Sequence, residues 1–447
     1  MDTAVRKQLE DAGIRFVRLL WCDNANVIRA KAGHIDFLDS LAKNGIGITA
    51  AQMAIPALYD AVVPETGLGP VGEIRLMPDW STLTVLPYAP GHAQVLCDMV
   101  VPETGKVWSH CPRGFLKRQI DALAARGLTL NAVFENEFFL LNKDEENRIY
   151  PADNTVFAAS AAMNQHLKFI DALSLAFETQ GIQVESYYPE SGPGQQEVNI
   201  RFTEGVTAAD RQIVYRETVR GVAASQGVIA SFLPKIFEDK AGSGAHINFS
   251  LWRGKANASG DKNAVHGISR DCEAFMAGIL NHLPALCALS IPSKTSYRRI
   301  RPHFWAGAFT AWGTQNREAA LRVCKDMSGR QAERIEYKTA DATANPYLAL
   351  GALIAAGLDG MDKGQVLPEE VQTDPGLIPV EERAKKGIDP LPDNLGDALS
   401  RLLGDDVLRH AMGEDLFRSF TAVRRHEWEA LKDAELAEEV DLLLERY

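Results

Sequence analysis

Glu135 and Glu137 stand two residues apart in FENEFF, and on a β-strand they would share one face, because side chains alternate sides along the strand. Two carboxylates held side by side repel each other and need cations to offset them. A divalent metal is the simplest offset, although the same pair on an exposed edge strand would need none. Glu190 and Glu197 bracket a Gly-Pro-Gly turn in ESGPGQQE, His246 follows the GSG of AGSGAHINFSLW, and Glu336 lies in RIEYK. Five carboxylates with one imidazole make an oxygen-rich set that suits Mg²⁺ or Mn²⁺ better than zinc. Between residues 296 and 347 the chain adds Arg299, Arg317, Arg322 and Arg334 among glycine, proline and aromatic residues. A buried charge without a partner is costly, so these guanidiniums either form an exposed ion-pair network or serve an anion. Their planar fork matches carboxylate and phosphate oxygens.

The rest of the chain must supply elements that bring these side chains together. Apolar and alternating runs predict strands at 14–21, 93–100, 128–141, 182–188, 196–203, 245–252, 307–313 and 333–338. Helical spacing predicts helices from Pro112 to a stop at Gly127, over 158–179, 207–225, 268–289 and 344–360, and again beyond Asn394. Prolines at 56, 64, 70, 78, 87 and 90 break the early part into short pieces. The fold expected is α+β, with a small N-terminal unit over 1–105 and a larger catalytic unit over 106–447.

A chain of 447 residues is long enough for a substantial core. Lys and Arg number 47 against 59 Asp and Glu, a net charge of −12 without a basic run, so no nucleic-acid partner is expected. The six cysteines have no CxxC spacing and read as buried thiols of a reducing compartment. No apolar run of bilayer-crossing length is read and the N-terminal stretch is charged throughout, so no membrane partner is expected and a cytoplasmic location is.

The segments FENEFFL, ESGPGQQEVNIRF, AGSGAHINFSLW, SYRRIRP, TQNREAALRV, RIEYK and NPYLALGALIAAGLDGM occur in the order and near the spacings of the glutamine synthetase superfamily, which the chain resembles from about 130 to 360. The resemblance implies a β-grasp N-terminal domain, a larger α/β catalytic domain, and a homododecamer of two stacked hexameric rings with each site at a subunit junction. It also implies ATP and Mg²⁺, with Mn²⁺ an alternative, and amide formation from glutamate through γ-glutamyl phosphate. By motif position, Glu137, Glu190 and Glu197 resemble the ligands of a metal on the glutamate side, and Glu135, His246 and Glu336 those of a metal on the ATP phosphates. Arg299 resembles the clamp on the substrate α-carboxylate, and Gly242 the backbone contact to its amino group. Arg317 and Arg322 fall where the family neutralises the transferring phosphate, and Glu185, Ser250 and Arg334 fall on nucleotide contacts.

The departures from that pattern concern the acceptor. Trp305 stands where ammonia-using members have a glutamate that closes over the site, and Thr49, Ala50, Ala51 and Gln52 stand near the family's ammonium-holding stretch. An indole and small apolar residues are expected to line a pocket for hydrocarbon, so the expected acceptor is an alkyl- or arylamine in place of ammonia. An acidic side chain in the indole's place would overturn that. Lys338 replaces an arginine, Ala241 an asparagine, and Asn248 a histidine near the nucleotide, which leaves open whether the acyl donor is glutamate or a close relative. An ordinary glutamine synthetase and a non-catalytic ring-forming relative are the alternatives. The segment EERAKKGIDPLPDNL lacks the tyrosine that many bacterial members modify, so no adenylylation is expected.

Overall fold

The run Thr129–Lys143 forms one strand of 15 residues, and the larger sheet is built around it. Leu130, Ala132, Phe134 and Phe138 are buried on one side, while Asn131, Val133, Glu135 and Glu137 are partly exposed on the other. The computed structural model describes residues 3–447. Along its main path the sheet runs Trp312–Thr314, Leu321–Lys325, Ala332–Tyr337, Ala245–Arg253, Thr129–Lys143, Gln195–Ile200 and Val184–Pro189. Every neighbouring pair on this path is antiparallel except the first, which is parallel.

Register decides what meets on the exposed face. Glu197 is opposite Glu137, His246 opposite Glu135, Asn248 opposite both Val133 and Glu336, and Arg322 opposite Glu336. Behind the sheet, the helices Gly205–Ser225, Arg270–Ser290 and Pro346–Lys363 supply much of the main core. The last two approach closely at Gly278 and Gly360: a Cβ added at either would come within 2.2 Å of the carbonyl oxygen of Ala356 or Ala274, respectively. The core face also holds a buried polar pair. Asn136 and Gln212 exchange amide hydrogen bonds of 2.7 and 2.6 Å, so each satisfies the other away from water.

The small unit has a sheet ordered Ile28–His34, Phe16–Cys22, His92–Val100, Glu73–Pro78 and Ile46–Thr49, with Thr84–Val85 paired to His92–Val100. Phe16–Cys22 and His92–Val100 run parallel, and the helices Thr3–Asp11 and Leu38–Asn44 accompany this mixed sheet in the β-grasp manner. A separate apolar core that includes Leu9, Val17, Leu19, Leu38 and Val95 lies within it.

Several expectations need correction. The helix expected over 158–179 is two, Ser160–Gln165 and Leu167–Thr179, joined at His166, whose ring Nε2 is 2.7 Å from Asp153. The strand expected at 307–313 shrinks to Trp312–Thr314, because Gly307 has a positive φ and the chain before Trp312 forms turns and a single bridge. Arg270–Ser290 does reach membrane-crossing length and apolarity, with mean hydropathy 1.4, but 83% of that apolar window is buried inside the protein, as a core helix requires.

Arg113, at the start of the helix Pro112–Ala124, joins the two units. Its guanidinium is buried and lies 2.7 Å from Asp79, 2.9 Å from Asp98 and 2.8 Å from Asp210. Nearby, Asn26 donates to the Ala342 carbonyl at 2.8 Å and Asn345 to the Asp23 carbonyl at 3.0 Å. Removing one partner from a buried ion cluster leaves the others uncompensated, at a cost of about 3–5 kcal/mol. Arg113→Met is therefore expected to lower the urea midpoint by that amount of stability at fixed protomer concentration; a loss below about 1 kcal/mol would show the cluster to be solvated like a surface pair.

Candidate active site

The exposed face of the larger sheet gathers the acids in two groups. In Glu135, His246 and Glu336 one ligand atom from each lies within 4.8 Å of the others, and the same is true of Glu137, Glu190 and Glu197. Strand alternation places Glu135 and Glu137 on one face, as their spacing predicts, and the register brings the other ligands to them. Glu190 sits just beyond Val184–Pro189, where the Ser191 amide donates to it at 2.8 Å. The turn between Glu190 and Glu197 is fixed by Asp153, which accepts the Gly194 N–H at 2.9 Å.

The electrostatics of both groups fit a divalent cation. Burial first, then the charges of Glu135 and Glu137, push the Glu197 carboxyl up to about 9. Burial and the charge of Glu137 likewise raise Glu190. In the other group His246 Nδ1 lies 3.4 Å from Glu135 and 3.3 Å from Glu336, while its buried Nε2 has no hydrogen-bond partner among the described residues. Burial and Lys338 oppose the imidazolium, but hydrogen bonds to Glu135 and Glu336 outweigh them and carry it up to about 9. Protons and nearby cations thus hold together side chains that would otherwise repel, and a divalent ion could take over that task.

Glu336 collects most of the neighbouring positive charge. Arg322 Nη1 lies 3.0 Å from one carboxylate oxygen and Lys338 Nζ 3.1 Å from the other. Burial raises the Glu336 carboxyl, but Lys338, His246 and Arg322 together hold it well below the usual range. Arg322 and Lys338, expected to face phosphate or substrate, are in this structure counter-charges to a buried carboxylate that requires them. Arg317 is exposed and forms no ion pair among the described residues.

Arg299 behaves differently. It is 5% exposed, Nη2 donates to the Ala340 carbonyl at 2.7 Å, and Nε has no hydrogen bond among the described residues. Burial lowers its pKa even though Asp341 and Glu137 act against that. Gly242 and Gly244 press on it, since a Cβ at Gly242 would be 2.7 Å from Arg299 Cγ and one at Gly244 would be 3.0 Å from Nη1. Gly242 and Gly244 thus leave bare backbone beside a buried guanidinium, close enough for backbone and charge to hold one small zwitterion together.

At the other end, Glu185, Asn248, Ser250 and Arg334 line a cavity of about 600 Å³ together with Asn131, Val133 and Glu135. Asn248 links it to the first acid group, donating to Glu135 at 3.1 Å and accepting from Arg334 Nε at 2.9 Å. The residues matched to nucleotide contacts therefore share one space, adjoining the first acid group; Arg322 is not among those lining it.

The acceptor side departs from expectation. Trp305 is 52% exposed, and Ala50 and Ala51 are buried in the N-terminal unit, so the structure does not build an acceptor pocket from these residues within one chain. The Thr49 side chain accepts from the Ala51 amide, capping the short turn that follows it. No hydrogen bond joins Thr49–Gln52 to the Trp305 loop among the described residues. An acidic residue, Glu318, does approach this loop, but it accepts the main-chain N–H of Trp305 at 2.9 Å.

Sequence reasoning passed over Gln195, whose amide donates to the Gly242 carbonyl at 3.0 Å and to Ser243 Oγ at 3.1 Å, as well as Asp153 and Glu318. Gln195 was visible inside GPGQQE; the other two carry no local signal.

The family model for the glutamine synthetase N-terminal domain matches residues 3–108, and that for the glutamine synthetase catalytic domain matches residues 109–442. The gamma-glutamylpolyamine synthetase GlnA3 of Streptomyces coelicolor is 37% identical over 427 residues, covering 94% of this chain and 91% of its own. A glutamine synthetase of Mycobacterium tuberculosis is 32% identical over 434 residues, 95% of this chain and 94% of its own. Among solved structures, a novel glutamine synthase homolog superposes with a TM-score of 0.86 at 29% identity over 97% of this chain and 99% of its own. GmaS in complex with ADP superposes with a TM-score of 0.85 at 27% identity, covering 99% and 100%. Two paired acid groups, a sheet built to hold them and end-to-end similarity agree: the chain belongs to the glutamine synthetase family and is an ATP-dependent ligase.

Proposed function

We propose that this ligase joins the γ-carboxylate of glutamate to an organic amine, giving a γ-glutamyl amide, ADP and phosphate. The observation that carries the ligase chemistry is the order along one sheet face: a nucleotide-sized cavity, two acid groups, then a buried arginine with an unpartnered Nε. In this reading the glutamate γ-carboxylate attacks the terminal phosphorus of ATP and ADP leaves; the amine nitrogen then attacks the acyl phosphate carbonyl, phosphate leaves and the nitrogen loses a proton. Divalent cations held by Glu135, His246 and Glu336, and by Glu137, Glu190 and Glu197, would supply positive charge where negative charge spreads over the oxygens of the transferring phosphoryl group.

Arg299 would take the α-carboxylate, and the Gly242 carbonyl, which accepts from Gln195, would use its remaining lone pair on the amino group. Arg317 and Arg322 would neutralise the phosphoryl oxygens, with Lys338 keeping Glu336 charged beneath them. Glu185, Asn248, Ser250 and Arg334 would hold the nucleotide.

The acceptor reading rests on Trp305, which by the family resemblance takes the place of a glutamate in ammonia-using members. The name of one relative specifies a polyamine; here an alkyl- or arylamine with a single nitrogen fits better, because a second ammonium would want a carboxylate at the indole's position. Rings of two stacked hexamers, with a neighbouring subunit completing the acceptor side, agree with a half-exposed Trp305 in the single chain.

Two outcomes are expected. In glutamate-dependent ADP release with ammonia, a diamine, short alkylamines and aniline, a monoamine carrying hydrocarbon gives the highest kcat/KM; ammonia in first place overturns the acceptor reading. Because Glu197 and His246 each hold a proton up to about 9, cation binding at pH 7 must displace protons. Mg²⁺ or Mn²⁺ affinity should therefore rise from pH 7 towards 9 and flatten above it. Calorimetry in two buffers of different ionisation enthalpy checks this, and absence of proton release contradicts the assignment.

A further inference from the structure

Residues 301–306 turn sharply after the helix Lys294–Arg299, and two of them, His303 at φ 68° and Trp305 at φ 54°, are left-handed. Non-glycine residues keep that conformation only where the surroundings hold them in it. The holder is Glu318. Its Oε1 accepts the Trp305 N–H at 2.9 Å, and its carboxylate also receives a backbone hydrogen bond from His303. The side chain is buried at 8% exposure; burial and the charge of Asp374 raise its carboxyl, against the main-chain hydrogen bonds and the charge of His303. A buried carboxylate without Lys or Arg as partner is costly unless its oxygens are used, and here main-chain donors use them.

The turn that carries Glu318 is itself anchored. Asn316 donates to the Val371 and Thr373 carbonyls at 2.8 and 2.9 Å, and Asp374 in the same segment lies 2.6 Å from His303 Nδ1. Phe304 stands over Lys235, whose Nζ is 5.9 Å from the ring centre. The loop is gripped from within while its aromatic rings remain outside.

We infer that Glu318 is a positioning residue for the acceptor: by gripping the main chain at His303 and Trp305, it fixes where the indole meets the hydrocarbon of the incoming amine. This rests on the acceptor reading of Trp305 given above. Glu318 touches no reacting atom in this role, so its loss acts on the amine and not on glutamate or ATP.

The test is a double-mutant cycle of E318A and W305A in the assembled enzyme, with E318Q alongside, reading KM for amine, glutamate and ATP separately. E318A is expected to raise the amine KM about tenfold, the size of a lost charged hydrogen bond. KM for glutamate and ATP should stay within about twofold, inside the usual scatter of uncoupled sites. E318Q recovers part of the loss, because its amide oxygen still accepts the Trp305 N–H. The double variant is no worse than W305A alone, since Glu318 acts through the indole's position. A joint rise of all three KM values, or additive losses in the double variant, overturns the inference. If E318A does not assemble, E318Q with W305A completes the same cycle. If W305A changes the KM of no amine, the acceptor reading fails and this inference with it; if W305A acts and neither Glu318 variant does, this inference alone falls.

Discussion

Like-charge repulsion is the constraint on which the rest of the structure depends. Glu135, Glu137, Glu190, Glu197 and Glu336 are brought into two tight groups on one sheet face, and nothing local makes that favourable. What enforces it is backbone hydrogen bonding between strands that are fixed from behind by a continuous apolar core. What relieves it is a ring of positive charge and protons: Arg322 and Lys338 on Glu336, His246 between Glu135 and Glu336, and a proton retained on Glu197. The chain spends its folding stability on an arrangement suited to cations and to a substrate with several negative charges of its own.

The same economy explains why the two ends of the face differ. Around Glu336 the cations are already committed, so that end of the face has its positive charge in place before any ligand arrives. At Arg299 the guanidinium is buried with the Ala340 carbonyl as its one hydrogen-bond partner among the described residues, which leaves donor capacity for an anion. Preorganisation of this kind puts the cost of desolvation into folding and not into the reaction.

Much of this was legible in the sequence, for identifiable reasons. The i, i+2 spacing of Glu135 and Glu137 placed both on one face because strand geometry is strictly alternating. The remaining ligands could be named from residue type as an oxygen-rich set, but their division into two groups was legible only through resemblance, since Glu197, His246 and Glu336 are brought to their positions by cross-strand pairing that no local pattern specifies. Arg113, Asp153 and Glu318 stayed hidden because each acts through partners distant in sequence: Asp210 for Arg113, Gly194 for Asp153, Trp305 for Glu318. The exposure of Trp305 was missed for another reason. Residue type reports what a side chain can contact, while a left-handed backbone held by a buried carboxylate decides where it stands.

One strand, Thr129–Lys143, carries Asn131 and Val133 at the cavity of about 600 Å³, Glu135 at the first acid group and Glu137 at the second. A single added or deleted residue within it would exchange the two faces, sending Phe134 and Phe138 to the solvent side and the acids into the core. Variation in this enzyme is therefore confined to exchanging one side chain for another along that strand. Changes of length are left to the turns, where an added residue shifts no strand register.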